Sequence, residues 1–555
     1  MSDEIKHECA VTLLRMRKSA KYYREAYGNV DYGGTKMSLL LEKQHNRGQD
    51  GAGLASLTLN PVPGLSACNI LKSAVYNPLA DLLSKIAKRR MMDETLFLGH
   101  LRYATYGKGD ESFCHPFVHK SARLKRTLFL AGNFNLTNTR ELFDNYVKLG
   151  KYPEYQADGY LICEWLASLM LNAENKGIED RGEVLRSALK ELLPRLDGAY
   201  TLCGMTGDGW SFAVKDPHAI RPGYYYVDDD VVVVASERPA IQAAFDKPTE
   251  SVKELTGGEA LIVSPAGEVK FERIIDAAEK RSCVFERIYF SRANDAAIHR
   301  ERKALGKELA QRVLQEINYD FENTFFSYIP NSAQVAFHGL VEALWNEGLA
   351  EGKAVRFGQI AIKDAKFRTF IADAAARKEF YKHVYDVTYG LVKSGTDTLV
   401  VLDDSIVRGN TMRNAILPML DRLGPKKVVV VSSAPPICYP DCYGIDMSTL
   451  GELVAFRALV NLVGEKNLTK DVDLRELYSR FTLEELSAEI ARLLTPPGMK
   501  AKVSVVFQTM ESLHRACPEN SGDWYFTGCY PTKGGFEVLK RSLVNYIEKR
   551  EGRSY

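Results

Sequence analysis

The sequence predicts two unlike halves: an α+β or layered sandwich first, then an α/β unit built on a doubly wound parallel sheet. Three observations carry that prediction. The first half strings short strands and turns together with only a few helical stretches. From about Cys283 the texture changes to a regular succession of apolar strand and helix, the mark of parallel βαβ units. The chain has 555 residues, 45% of them apolar, and at roughly 150 residues per domain that is enough for several cores.

The strands of the first half are read from GAGLASL (51–57), TLFLGHLRYATYG (95–107), TLFLAGNFNLTN (127–138), GAYTLCGMTGDGWSFAVKD (198–216) and VVVVASERP (231–239), with helices over 159–172 and 182–193. The two halves meet near residue 275, just after GGEALIVSPAGEVKFERI. Beyond it a helix is expected over 300–317, then the buried strand TFFSYIP (324–330) and a helix over 333–348. The strand TLVVLDD (398–404), a helix over 411–423 and the strand KKVVVVSSAPP (426–436) follow. Thr482 can cap LEELSAEIARLL, and a helical extension is expected over 482–555.

Charge and cysteine content exclude several function classes. Lys and Arg number 73 against 71 Asp and Glu, a net charge of +2 that argues against bulk capture of nucleic acid or anionic membrane. Apolar runs are far shorter than the eighteen or so residues that span a bilayer. Ten cysteines are too sparse for a disulfide scaffold and suit a reduced cytoplasm.

The most informative stretch is TLVVLDDSIVRGNTMRNAI (398–416). Asp403 and Asp404 stand at the carboxyl end of a buried strand, where open α/β sheets bind ligands. After them come Ser405, Ile406, Val407, Arg408, Gly409, Asn410 and Thr411, a loop rich in hydroxyl, glycine and N–H groups that suits an anion. Adjacent carboxylates beside such a cradle suit a sugar diol, with Mg2+ neutralising a diphosphate.

This string resembles the binding loop for 5-phosphoribosyl 1-diphosphate (PRPP) of type I phosphoribosyltransferases. With YGIDM (443–447), ELVAFRA (452–458), RIYFSR (287–292) and WYFTGCYPT (524–532), the chain resembles the amidophosphoribosyltransferase (glutamine PRPP amidotransferase) family over nearly its whole length. The first half fits the same family. QHNRGQDGAGLASL (44–57) resembles its HRGQDxAG segment with Asn46 inserted, GHLRYATYG (99–107) its GHxRYxT strand, and NFNLTN (133–138) its NGNLTN turn.

The resemblance implies an N-terminal-nucleophile (Ntn) hydrolase αββα sandwich over 9–275, a phosphoribosyltransferase doubly wound sheet over 276–481 and the helical extension beyond. It implies Cys9 as nucleophile, with residues 1–8 as a propeptide whose removal frees the Cys9 α-amine as general base. Asn133 and Phe134 would serve the oxyanion, while Arg102, Thr105 and Asp158 would bind glutamine. The loop from Ser405 to Thr411 would hold the PRPP 5′-phosphate. Asp403 and Asp404 would bind the ribose hydroxyls and, with Ser332, Mg2+.

Departures from the family pattern sharpen these expectations. Ala10 replaces the glycine after the nucleophile, and Phe134 replaces the oxyanion glycine, where it would resist φ > 0 and crowd the pocket. Gly522 and Tyr525 occupy the CxxC positions of the iron–sulfur branch, and Cys442 is out of register, so no cluster is expected. The PRPP-closing loop reads IKDAKFRTFI (362–371), keeping Arg368 but not the residues before it. Ala333 follows Ser332 where two adjacent hydroxyls are usual.

The implied reaction converts glutamine, PRPP and water to 5-phosphoribosylamine, glutamate and diphosphate, the committed step of purine synthesis. The expected setting is a cytoplasmic homo-oligomer under purine-nucleotide feedback, with no nucleic-acid or membrane partner. A rival reading is a PRPP- or nucleotide-binding regulatory paralogue with weakened catalysis.

Overall fold

The computed structural model describes residues 9–59, 61–62, 64, 66–103, 109–363 and 385–550. The leader 1–8, Thr105 and the greater part of the 362–371 loop, Arg368 included, lie outside the described residues.

The first half contributes β1 (Ala10–Met16), β2 (Gly51–Leu57), β3 (Cys68–Ser73), β4 (Leu96–Arg102), β5 (Phe117–His119), β6 (Leu128–Leu136) and β7 (Gly198–Thr206). It continues with β8 (Ser211–Lys215), β9 (Tyr224–Val227), β10 (Val231–Ala235), β11 (Lys253–Glu254), β12 (Glu259–Val263) and β13 (Val269–Arg273). These form two antiparallel sheets, ordered β11-β9-β10-β1-β4-β2-β3 and β13-β12-β8-β7-β6-β5.

Side chains alternate between the two faces of a strand, so each strand feeds two cores. Along β1, Val11 and Leu13 join Phe129, Ala131 and Met205 between the sheets. Ala10, Leu14 and Met16 instead join Met37, Leu40 and Leu82 of the outer helices Tyr32–Glu42 and Pro78–Arg89. Leu130, Tyr200 and Phe212 of the second sheet pack against the helices Asp158–Asn175 and Arg181–Leu192. The layers run αββα. Because both faces of these strands are covered, GAGLASL and VVVVA read as continuous apolar runs.

The second half contributes β14 (Thr324–Tyr328), β15 (Arg356–Phe357), β16 (Ala361–Lys363), β17 (Tyr385–Val387), β18 (Thr398–Asp403), β19 (Lys427–Ser432) and β20 (Lys502–Phe507). Five of them make a parallel sheet, β15-β14-β18-β19-β20, and β16 pairs with β17. Leu399 and Val401 face one core with Leu459 and Ile490 from the helices Val454–Val463 and Leu483–Leu494. Val400 and Leu402 face the other with Phe337 and Leu340 from the helix Gln334–Ala350. Helices on both faces make the sheet doubly wound. Ala199 and Ile220 of the first half share a core with Phe285, Tyr443 and Trp524 of the second.

Two expectations need correction. The segment 482–555 is not all helix. Thr482 does close a capping box on Leu483–Leu494, but residues 502–507 form β20, which pairs along β19. The β-branched valines of KVSVVF suit that sheet edge, and tertiary pairing decides the state of so short a run. The helix expected over 411–423 runs over 410–421 and contains a π-helical turn, Met412–Ile416, before Leu417–Asp421. Pro418 has no N–H to give the preceding turn, so regular α-helical bonding cannot run through it. Among the described residues no helix is long and apolar enough to cross a membrane.

Candidate active sites

Cys9 immediately precedes β1, and the pairing of Ala10 with Leu101 brings it beside Arg102 and Tyr103 at the end of β4. Its sulfur accepts the Tyr103 N–H at 3.4 Å. The NRGQDGAG segment lies so close to β4 that a Cβ on Gly48 would stand 2.4 Å from the Arg102 backbone, an approach only glycine permits. Burial pushes the Cys9 thiol up to about 11, against the Tyr103 N–H and the Arg102 and Arg47 charges. At neutral pH the sulfur therefore keeps its proton until a base removes it.

Of the other predicted residues, Arg102 and Asp158 lie close enough for their charges to act on Cys9. Arg102 is buried, its guanidinium 5.8 Å from the centre of the Phe113 ring. Asp158 opens the helix Asp158–Asn175, and burial raises its carboxyl to about 6 despite the Gly159 N–H and the Arg102 charge. Asn133 lies on β6, and its buried side-chain NH2 has no hydrogen-bond partner among the described residues. An unsatisfied buried donor is costly, so an incoming oxygen acceptor is what this amide lacks.

Phe134 differs from expectation. It lies within β6 opposite Tyr200 and is not among the residues with positive φ, so no left-handed backbone is asked of it. Its ring stacks on His115, with centroids 5.6 Å apart.

The second site lies at the carboxyl end of β18, in a cavity of 480 Å³. Asp403, Asp404, Ser405, Ile406, Val407, Arg408, Gly409 and Thr411 line it with Ser332; Asn410 does not. Gly409 has φ of 78°, which explains the glycine there. Asp404 accepts the Ser405 hydroxyl at 2.8 Å and also the Ser332 hydroxyl. Burial raises the Asp404 carboxyl above its usual range, against both hydroxyls and the Arg302 charge. Arg408 turns to Glu452 at 2.7 Å and to the Asp446 carbonyl at 3.1 Å, so it braces the loop.

His45, Asn46 and Gln49 of the first half also line this cavity. Within the same segment, the Asp50 N–H donates to the Arg102 carbonyl at 3.0 Å. The run from Gln44 to Asp50 is thus a wall shared by the two sites. Arg47 anchors it, bonding Glu237 at 2.9 Å and Glu286 at 2.6 Å, both fully desolvated.

No family model matches the chain. Its sequence is 30% identical over 518 residues to the amidophosphoribosyltransferase of Bacillus subtilis (strain 168), covering 92% of this chain and 93% of that one. The chain belongs to the amidophosphoribosyltransferase family. The amidophosphoribosyltransferase of Archaeoglobus fulgidus is 28% identical over 431 residues, 77% of this chain and 84% of its own. Among solved structures, the glutamine PRPP amidotransferase of B. subtilis, complexed with ADP and GMP, superposes with a TM-score of 0.68 at 26% identity. That match covers 95% of this chain and 98% of the other. A structure described as the allosteric regulatory enzyme of purine biosynthesis gives a TM-score of 0.69 at 26% identity, over 95% and 96% of the two chains.

In this amidophosphoribosyltransferase-family chain Cys283, Cys438, Cys442 and Cys517 of the second half are buried thiols, while Cys529 is exposed. Cys283 faces the Tyr525 hydroxyl at 3.5 Å, and that hydroxyl also accepts the Phe285 N–H at 2.7 Å. Burial pushes Cys283 and Cys438 each up to about 12 and raises Cys442 well above its usual range, so all three hold their protons. Among the described residues no three His, Cys, Asp or Glu side chains converge to hold a metal ion. Sequence reasoning missed the partners of Arg47, and it missed His100 and His115. His100 was visible inside GHLRYAT, but nothing local marks His115.

Proposed function

We propose that this chain moves the amide nitrogen of glutamine to PRPP, giving 5-phosphoribosylamine, glutamate and diphosphate. The observation that supports the reading is the shared wall: residues of the Gln44-to-Asp50 segment line the Asp403–Asp404 cavity and also bond the Arg102 backbone beside Cys9.

Arg102 grips the glutamine α-carboxylate and Asp158 the α-ammonium, with Thr105 as a third contact. The Cys9 sulfur, its proton taken by the Cys9 α-amine once residues 1–8 are gone, attacks the side-chain carbonyl carbon. The oxyanion forms against the Asn133 NH2 and the Phe134 N–H. Collapse of the tetrahedral intermediate breaks the C–N bond and releases ammonia, and water later hydrolyses the γ-glutamyl thioester to glutamate. Ammonia crosses the wall and attacks the ribose C1, displacing diphosphate.

On the other side, N–H and hydroxyl groups from Ser405 to Thr411 hold the 5′-phosphate, and Asp403 and Asp404 hold the ribose hydroxyls. The buried Asp404 carboxylate, the neighbouring Asp403 and the Ser332 hydroxyl form an all-oxygen donor set that fits Mg2+. When bound, that ion offsets negative charge on the diphosphate. We assign the amide-cleaving unit to 9–275 and the phosphoribosyltransferase unit from 276, extended beyond 481 to take in β20. A cytoplasmic homo-oligomer with purine-nucleotide feedback completes the reading. Nothing favours a regulatory paralogue, and the chain keeps Cys9, Arg102, Asn133, Asp403 and Asp404. In the test, Cys9→Ala loses glutamine-dependent diphosphate release and keeps ammonia-dependent release. Equal loss of both would remove Cys9 from its role.

A further inference from the structure

Asn133 is flanked by two residues that the same imidazole holds. On one side of it, β6 outruns its neighbour: β5 pairs only with Leu128, Phe129 and Leu130, so beyond that point the outer edge of β6 has no strand beside it among the described residues. An unpaired backbone at such an edge needs other partners. For Gly132 they are two histidines. His100 of β4, in the other sheet, uses Nε2 to donate to the Gly132 carbonyl at 3.1 Å. His115 uses Nδ1 to accept the Gly132 N–H at 3.4 Å. The two rings stack with centroids 4.0 Å apart and planes 22° from parallel.

On the other side of Asn133, the Phe134 ring stacks on His115. Gly132 itself has no room for a side chain, since a Cβ would stand 2.7 Å from Leu202 and 2.8 Å from the Phe134 ring. We propose that His100 and His115 are positioning residues for amide cleavage, clamping Gly132 and Phe134 so that the Asn133 amide is aimed at the oxyanion. This inference rests on the reading of Cys9 and Asn133 given above. The clamp needs His115 Nδ1 as an acceptor, and the ring is kept in that neutral form. Burial lowers the His115 pKa well below its usual value, and His100, Arg102 and Lys72 add to the effect.

The contribution is geometric. An oxyanion donor acts only if it is held where charge develops, and misplacing such a group by about 1 Å can cost about 10²-fold in rate. The experiment is single-turnover formation of the Cys9 thioester, with glutamine KM measured beside it. His115→Phe keeps a stacking ring but removes the acceptor, and it is expected to slow acylation about 10- to 100-fold with KM changed less than about twofold. His115→Asn, whose Oδ1 stands near the place of Nδ1, is expected to recover most of the rate. His100→Leu and His100→Gln form a second pair on the carbonyl side, with the same slowing and the same rescue. His115→Phe at the wild-type rate, or no rescue by either conservative variant, overturns the clamp alone. A wild-type chain that forms no thioester overturns the amide-cleavage reading and the clamp with it.

Discussion

The side-chain amide of Asn135 donates to the backbone carbonyl of Cys442 at 2.6 Å, joining the oxyanion strand to the loop before YGIDM in the other half. Asp197 reinforces the joint, accepting the Thr532 hydroxyl at 2.6 Å and the Gly534 N–H at 3.0 Å. Asn135 lies two residues from Asn133, so the amide site and the second half are tied within one short stretch of chain.

Removing that tie should weaken both stability and coupling. Asn135→Ala deletes the donor and leaves a buried carbonyl unsatisfied, a loss of about 1–3 kcal/mol. Thermal unfolding is expected to shift downward, and glutamine-dependent turnover is expected to fall more than ammonia-dependent turnover. Equal falls in the two activities would mean that the contact serves stability alone.

Replacing Asp403 and Asp404 together by Asn keeps their shape and removes the charges proposed to organise the ribose hydroxyls and Mg2+. Calorimetry with PRPP and Mg2+ is expected to show binding lost, and turnover should vanish with either nitrogen donor. Unchanged Mg2+-dependent affinity would rule out this assignment.

The role proposed for Asp158 sets a pH limit on glutamine use. Its carboxyl, raised to about 6 by burial, carries a proton below that pH and then could not pair with the glutamine α-ammonium. Glutamine KM is therefore expected to rise as pH falls through about 6, while turnover at constant free NH3 should not follow it. In Asp158→Asn, KM should be high and flat across the same range. A wild-type KM independent of pH would count against the role.

Phe134 was expected to handicap the oxyanion site, and its stack on His115 reverses that expectation. Phe134→Gly opens no new donor, because the backbone is already in strand conformation, and it removes a ring from the clamp. Thioester formation on Cys9 is expected to slow. A faster glycine variant would restore the view that the phenylalanine obstructs the pocket.

Much of this was legible in the sequence because local pattern and final environment agree. The buried strand Thr398–Asp403, with its two carboxylates and glycine-bearing loop, points to a ligand cavity at the strand end without any tertiary information. Cys9, Arg102 and Asn133 were found through motif strings, and the register of β1 on β4 explains why two of those strings must meet. Strand β20 was obscured by the strong capping box and helix just before it. Arg47 reaches Glu286 across 239 positions, and Gly132 reaches His115 across 17, pairings that no local periodicity encodes.

The central claim is that the two sites share one reaction, and the most direct measurement is the yield of glutamate and of diphosphate in a single assay of purified protein. With glutamine, PRPP and Mg2+ all present, the two products are expected in a one-to-one ratio, and omitting PRPP should sharply reduce glutamate release. Diphosphate formed from PRPP and glutamine without matching glutamate, or glutamate released equally fast whether or not PRPP is present, would contradict it.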